Sequence, residues 1–155
     1  MLLKVISAGL TDVDQAALRA AKALGISTGG TTSRGLAAEA GSDSDLFLLY
    51  GIEGHERPKH LPRLPESVRD ADGTLILTSD PQSPGSLRTL EACKKSRKPF
   101  FVVSARDRQV TSRTVIDWID DHDIEILNVA GNRESWPGLG ERAELFLTEV
   151  FRRGR

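Results

Sequence analysis

The chain has 155 residues, 39% apolar and 28% charged, which is enough for one sizeable core and calls for no second domain. Its formal net charge of -1 provides no bulk attraction to nucleic acid or to an acidic membrane, partners that usually require a positive excess. Apolar runs such as Leu46 to Tyr50 and Leu75 to Leu77 fall far short of the roughly 20 residues of a membrane-spanning helix, and the single cysteine, Cys93, allows no internal disulfide and suits a reducing cytosol.

Met1 to Ile6 runs straight into a strand pattern without the regions of a signal peptide, so a strand is predicted at Leu2 to Ser7 and a cytoplasmic location is expected. Gly9 follows, then a helix from Asp12 to Leu24, where Ala16, Ala17, Ala20, Ala21 and Leu24 line one face with small side chains suited to close packing on a sheet. Gly25 ends it. Weaker strand signals near Ile26 and Phe47 fall inside a stretch of about 27–65 rich in glycine and proline, including Gly29-Gly30, Gly35, Gly41, Pro58, Pro62 and Pro65. This stretch reads as an irregular insert whose ends could cover a pocket.

A short helix at Glu66 to Ala71, a turn at Asp72-Gly73 and a strand at Thr74 to Thr78 come next. Pro84-Gly85 opens a helix over Ser86 to Ser96, in which Cys93 sits beside Leu90 and Ala92 as a buried structural thiol. A strand at Pro99 to Ser104, a helix at Thr111 to Asp121 with Trp118 on its apolar face, a strand at Ile124 to Val129 and a helix at Leu139 to Phe151 complete the chain. The alternation predicts one α/β domain over 1–155, a Rossmann-like three-layer sandwich with a mainly parallel sheet. The basic residues Lys94-Lys95 and Arg152-Arg153 are expected at helix C-termini, where the dipole favours cations.

Four polar segments follow strand ends and so share one sheet edge, the edge where open α/β sheets collect ligands: Ser7 to Asp14, Ser79 to Thr89, Ser104 to Arg108 and Asn128 to Ser135. In the first, Gly9, Thr11 and Asp12 at a helix start could hold a phosphate, or Thr11 or Asp12 could simply cap the helix. The second, with Gly85 and Ser86, offers the same two readings. In the last, Gly131 permits close backbone approach, Asn128 and Asn132 carry amides, and Arg133 carries a fork of donors suited to phosphate or carboxylate. The alternative is an Arg133 to Glu134 pair that only holds the loop. The dinucleotide fingerprint and the P-loop are both absent, which argues against NAD and a standard NTPase. His55, His60 and His122 lack metal-ligand spacing, and no metal site is expected.

Ser7-Ala-Gly-Leu-Thr-Asp-Val-Asp14, Gly29-Gly-Thr-Thr-Ser-Arg-Gly35 with Ala38-Glu39, Val68 to Leu77, Gly85-Ser86, Lys98-Pro99 and Leu127 to Ser135 resemble the putative molybdenum carrier family, the circularly permuted YpsA branch of the SLOG superfamily. The resemblance runs in order over nearly the whole chain. It implies a Rossmann-like sandwich, binding of nucleotides or related phosphorylated ligands at superfamily level, and, by the family's label, molybdenum cofactor. The family's first loop typically reads S-G-G-Q-T-G-V-D, whereas this chain has Ala8, Leu10 and Asp12 at the second, fourth and sixth of those positions. Arg34 stands where lysine is usual, and Asn132 where proline is.

The resulting expectation is a small anionic ligand bound by Gly9, Thr11, Gly85, Ser86, Gly131, Arg133 and Ser135, with Gly30 and Arg34 arriving from the insert. A second reading is a nucleotide N-glycosidic hydrolase of the phosphoribohydrolase type. It rests on Pro84 to Glu91, a partial match to P-G-G-x-G-T-x-x-E in which Glu91 falls one position early, with Glu39 or Glu134 as the substitute acid. A third is an interaction protein that kept the fold and lost the ligand, for which the charge of Asp12 at a helix N-terminus is the evidence. Homo-oligomeric association is compatible with all three.

Overall fold

The computed structural model describes residues 1–9, 11–33, 48–55, 66–104, 107, 109–131 and 138–154. In chain order the elements are β1 (Lys4–Ile6), α1 (Asp12–Ala23), β2 (Ser27–Ser33), β3 (Ile52–His55), α2 (Glu66–Asp70), β4 (Gly73–Thr78), α3 (Pro84–Ser96), β5 (Phe100–Ser104), α4 (Ser112–Asp121), β6 (Ile126–Ala130) and α5 (Leu139–Gly154). The six strands pair in the order β3-β2-β1-β6-β4-β5, and every pairing is parallel. A sheet of this kind must be covered on both faces. Accordingly α1, α4 and α5 pack side by side on one face, while α2 packs on α3 on the other.

β4 shows what the central position demands, since all six of its residues, Gly-Thr-Leu-Ile-Leu-Thr, are buried. The larger core lies under α1, α4 and α5. Ala16, Ala17 and Ala21 of α1 have no exposure, and this lets α1 approach β1 and α5 closely. Leu147, Val150 and Phe151 of α5 and Val115 and Ile119 of α4 fill the same cluster, each large side chain stabilising by about 1.5–3 kcal/mol relative to exposure. Trp118 belongs to this core and meets the Phe101 ring at a centroid distance of 5.7 Å.

The stretch expected to be an irregular insert holds two strands of the sheet. β2 reads Ser-Thr-Gly-Gly-Thr-Thr-Ser, without an apolar residue, yet it lies between β1 and β3 and ladders to both. Pairing on two sides overrides weak strand propensity. The strand expected near Phe47 is β3, starting at Ile52; Phe47 itself, like 34–46 and 56–65, lies outside the described residues.

At the amino edge, the Asp72-Gly73 turn has two further duties. Asp72 Oδ2 accepts the N–H groups of Glu125 and Ile126 at 3.1 and 2.8 Å, which pins the start of β6 to that of β4. Gly73 leaves room for Ile124, whose Cδ1 would lie 2.6 Å from an added Cβ. Lys98 Nζ donates to the carbonyls of Arg69 and Ala71 at the end of α2, at 3.0 and 2.7 Å. Lys94 and Lys95 fall in the last turn of α3 and Arg152 and Arg153 in the last turn of α5, as the dipole argument requires.

Cys93 is fully buried with Val68 and Ala92. Burial pushes its thiol above the ordinary value of 9.0, opposed by a hydrogen bond with the Thr74 side chain. Because the folded-state value is raised, the neutral thiol's contribution is complete below pH 9.0 and is lost as pH climbs through the folded value. The stability margin of the wild type over Cys93→Ala should therefore hold steady up to pH 9.0 in urea titrations and shrink above it, with a slope of at most about 1.4 kcal/mol for each step of one in pH. A margin that stays flat or grows above that point would contradict the buried environment.

Candidate functional site

In a doubly wound sheet the ligand crevice opens where neighbouring strands send their following helices to opposite faces. β1 and β6 are followed by α1 and α5 on one face, and β4 by α3 on the other. The switch point therefore lies between β6 and β4. The carboxyl ends of β1, β6 and β4 are neighbours, spanning about 10 Å at the usual strand spacing.

The first loop is built around the start of α1. Thr11 is the N-cap: its Oγ1 accepts from Asp14 N–H at 3.1 Å, and Asp14 Oδ2 accepts from Thr11 N–H at 3.2 Å, a reciprocal capping box. Asp14 is only 4% exposed, and its other oxygen accepts the N–H of Gly131 at 3.2 Å, joining the loop after β6 to the helix after β1. A Cβ on Gly131 would lie 2.6 Å from Val13 Cβ and 3.1 Å from Thr11 Oγ1, so a glycine is what lets these two loops meet. Gly9, at φ +71°, turns the chain between β1 and the cap.

Gly30 lies within β2 opposite the end of β1. Ser7 Oγ, in turn, donates to the Val129 carbonyl at 2.9 Å, so β2, β1 and β6 are tied at one level of the sheet. On the other side of the switch point, Ser83 caps α3 and Pro84 takes its first position. Ser83 Oγ donates to Ser86 Oγ at 2.8 Å, and Ser86 Oγ also lies 2.8 Å from Thr78 Oγ1, forming a buried chain of three hydroxyls. Asp80 Oδ1 accepts the N–H of Gln82 at 2.9 Å and shapes the turn between Thr78 and the cap.

The two helix starts differ electrically. The first turn of α1 carries Asp12 and Asp14, whereas that of α3 carries no carboxylate. Asp12 is exposed, with its Cβ 3.2 Å from where a Cβ on Gly140 would sit, so its charge lies beside the start of α5 as well. An anion beside β6 and β4 meets an uncompensated positive helix end at α3; α4, which follows the edge strand β5, also starts without a carboxylate.

Gly9, Thr11, Gly30, Gly85, Ser86 and Gly131 thus all lie at the carboxyl edge, and Thr11 and Gly131 are in direct contact. Arg34, Glu39, Asn132, Arg133, Glu134 and Ser135 lie outside the described residues. Asn128 departs from its expected role as an amide facing the ligand. It is inside β6, 2% exposed, and donates to Thr74 Oγ1 at 3.3 Å, because the strand continues past it to Ala130. Glu91 pairs with Lys95 at 3.0 Å with 67% of its side chain exposed, and so has the setting of a surface carboxylate, not of a catalytic acid.

Asp14 and Thr78 organise the edge and were not among the expected site residues. The Thr11-x-x-Asp14 spacing is the sequence signal for the first; Thr78 has none beyond ending a strand. No group of three or more histidine, cysteine or acidic residues among those described is placed to hold a metal, and no described helix is long and apolar enough to cross a membrane. A shallow groove lined by Leu145, Thr148, Glu149, Arg152 and Arg153 follows the second half of α5, away from the carboxyl edge.

A solved structure with the same fold is that of a putative molybdenum carrier protein from Syntrophus aciditrophicus SB. It is 29% identical to this chain, with a TM-score of 0.79, and the match covers 97% of this chain and 94% of that one. No curated protein matches. The model of the circularly permutated YpsA SLOG family matches residues 5–151, and the strand order shows the permutation: counted from β6 instead of β1, the sheet reads 4-3-2-1-5-6. The chain belongs to the circularly permutated YpsA SLOG family.

Proposed function

We propose that this protein is a cytoplasmic molybdenum carrier-like binder of a nucleotide or another phosphorylated, anionic ligand, held at the carboxyl edge where β6 meets β4. The observation that carries the reading is the convergence, at the switch point, of the Gly131 turn and a helix start free of carboxylates. Gly131 brings the loop after β6 against the start of α1, and Gly85, without a side chain, lets a ligand approach the backbone of α3, where its N–H, at the second helical position, is one that a helix start leaves without an intrahelical acceptor. Arg133 and Arg34 would clamp the anion from the adjoining segments. The described donors at this edge are hydroxyls, the side-chain amides of Gln15 and Gln82 and backbone N–H groups, which suit phosphate oxygens. Soft sulfur ligands for molybdenum are missing among them, so a molybdenum cofactor would be held by its phosphate.

Thermal-shift titration with AMP, ribose 5-phosphate, inorganic phosphate, molybdate and molybdopterin tests this. A ligand at a hundred times its Kd should add about 2.7 kcal/mol, a rise of roughly 5–10 °C for a chain of this size, reduced at least tenfold in affinity by Arg133→Ala. No stabilisation by any of these anions, with Arg133→Ala indistinguishable from wild type, would overturn the proposal. Free base released from AMP, and lost in both Glu39→Ala and Glu134→Ala, would make the binder a hydrolase.

A further inference from the structure

Among the described residues Asp14 is the one charged side chain that is buried, 4% exposed in the first turn of α1. A charge is kept in such a position when hydrogen bonds compensate it, and capping a helix of this fold does not call for one. Helices α3 and α4 also start on a capping hydroxyl, Ser83 Oγ accepting from Ser86 N–H at 3.3 Å and Thr111 Oγ1 from Thr114 N–H at 3.4 Å, and neither has a carboxylate in its first turn. What sets Asp14 apart is its second oxygen, which accepts the N–H of Gly131 across 117 residues of sequence.

Gly131 is held at three points by the start of α1. Besides the bond to Asp14, an added Cβ would stand 2.6 Å from Val13 Cβ and 3.1 Å from Thr11 Oγ1, so the turn after β6 rests directly on the helix. Arg133 follows two peptide units later, which confines its Cα to within about 7.6 Å of that of Gly131. Given an anion at the switch point, as proposed above, we infer that Asp14 is a positioning residue for it. Its carboxylate anchors Gly131 and thereby presents Arg133 to the anion, without touching the ligand. The Gly131 N–H is engaged by that carboxylate, so the turn offers the anion the side chain two residues on and not the glycine backbone.

Charge and position predict opposite signs. If coulombic repulsion at roughly 10 Å in water were the whole effect of Asp14, its removal would tighten the binding of a singly charged anion about twofold. As an anchor, its removal weakens binding.

Calorimetric titration decides between them, with the folding of each variant confirmed by near-UV circular dichroism. The ligands are AMP, ribose 5-phosphate, inorganic phosphate, molybdate and molybdopterin, and the one that binds the wild type most tightly serves as the probe. Asp14→Ala should weaken it about tenfold, but no further than Arg133→Ala does, and Asp14→Asn, which keeps one acceptor oxygen, should fall between wild type and Asp14→Ala. In the Arg133→Ala background Asp14→Ala should cost no further affinity, because no guanidinium is left to present. An equal loss in both backgrounds would make Asp14 merely structural and overturn the role, as would an affinity that Asp14→Ala leaves unchanged or tightens. In the wild type without any anion, the Gly131 amide should exchange about tenfold or more slowly than in an unstructured chain; an unprotected amide overturns the anchor even if no variant folds. A wild type that binds none of these anions fails differently: it removes the proposed binding, and this role with it, while the Gly131 amide stays protected.

Discussion

Gly30→Ala is expected to leave the chain unfolded or destabilised by more than about 4 kcal/mol. An added Cβ would lie 1.9 Å from the carbonyl oxygen of Ser7 and 2.9 Å from its carbon, at a backbone φ of +145° that side chains other than glycine rarely adopt. Both neighbours are backbone. β1 cannot yield, because it is laddered to β2 and β6 and Ser7 Oγ is bonded to Val129. The adjacent glycine is the control: a Cβ on Gly29 meets Lys4 Cε at 3.0 Å and Nζ at 3.2 Å, the far end of a flexible side chain. Gly29→Ala should cost about 1 kcal/mol or less. Urea unfolding of both variants decides the matter; equal midpoints would mean that the close approach of β2 to β1 is wrong. Gly30 stands in the stretch Gly29 to Gly35, where glycines read naturally as an anion cradle, but its steric duty to Ser7 accounts for it without any ligand.

Asp14→Ala should cost about 2–4 kcal/mol, since it removes a cap partner, worth about 0.5–2 kcal/mol, and strands the Gly131 N–H, at about 1–3 kcal/mol. One carboxylate holds both groups from a position 4% exposed. Asp14→Asn retains one acceptor oxygen and should fall between. Asp12→Asn, two positions earlier and exposed, should stay within about 0.5 kcal/mol of wild type, and it should tighten anion binding by removing a negative charge from the edge. Denaturant titration of the three variants separates the roles. If Asp12→Asn were the costlier change, the assignment of the capping carboxylate would be wrong.

Much of this fold can be read from the residues, for local reasons. Runs such as Leu75-Ile-Leu77 announce a buried parallel strand, and the alanines of α1 announce a helix pressed on a sheet. The observed ends lie within a few residues of those expected. β2 is hard to read because its strand character belongs to its neighbours: Ser-Thr-Gly-Gly-Thr-Thr-Ser has no apolar residue to declare a face. At the site, residue types and their edge are legible, but their consumption by structure is not. The bond from Gly131 to Asp14 spans 117 residues and that from Ser7 to Val129 spans 122, and nothing local marks either. The capping box at Thr11 and Asp14 is the exception, since its two partners are three residues apart.

Leu2 N–H donates to the Gly154 carbonyl at 2.8 Å, so the start of β1 and the end of α5 sit side by side at the amino edge. A short link there, with a break in the turn between α4 and β6, would leave every ladder and core contact in place while making β6 the first strand. Joined and reopened in that way, chains of such a fold can change the order of their elements without changing their architecture. A circular permutation of this fold then leaves the parallel sheet and its core as they are, because residues 2 and 154 already lie within hydrogen-bond reach of each other.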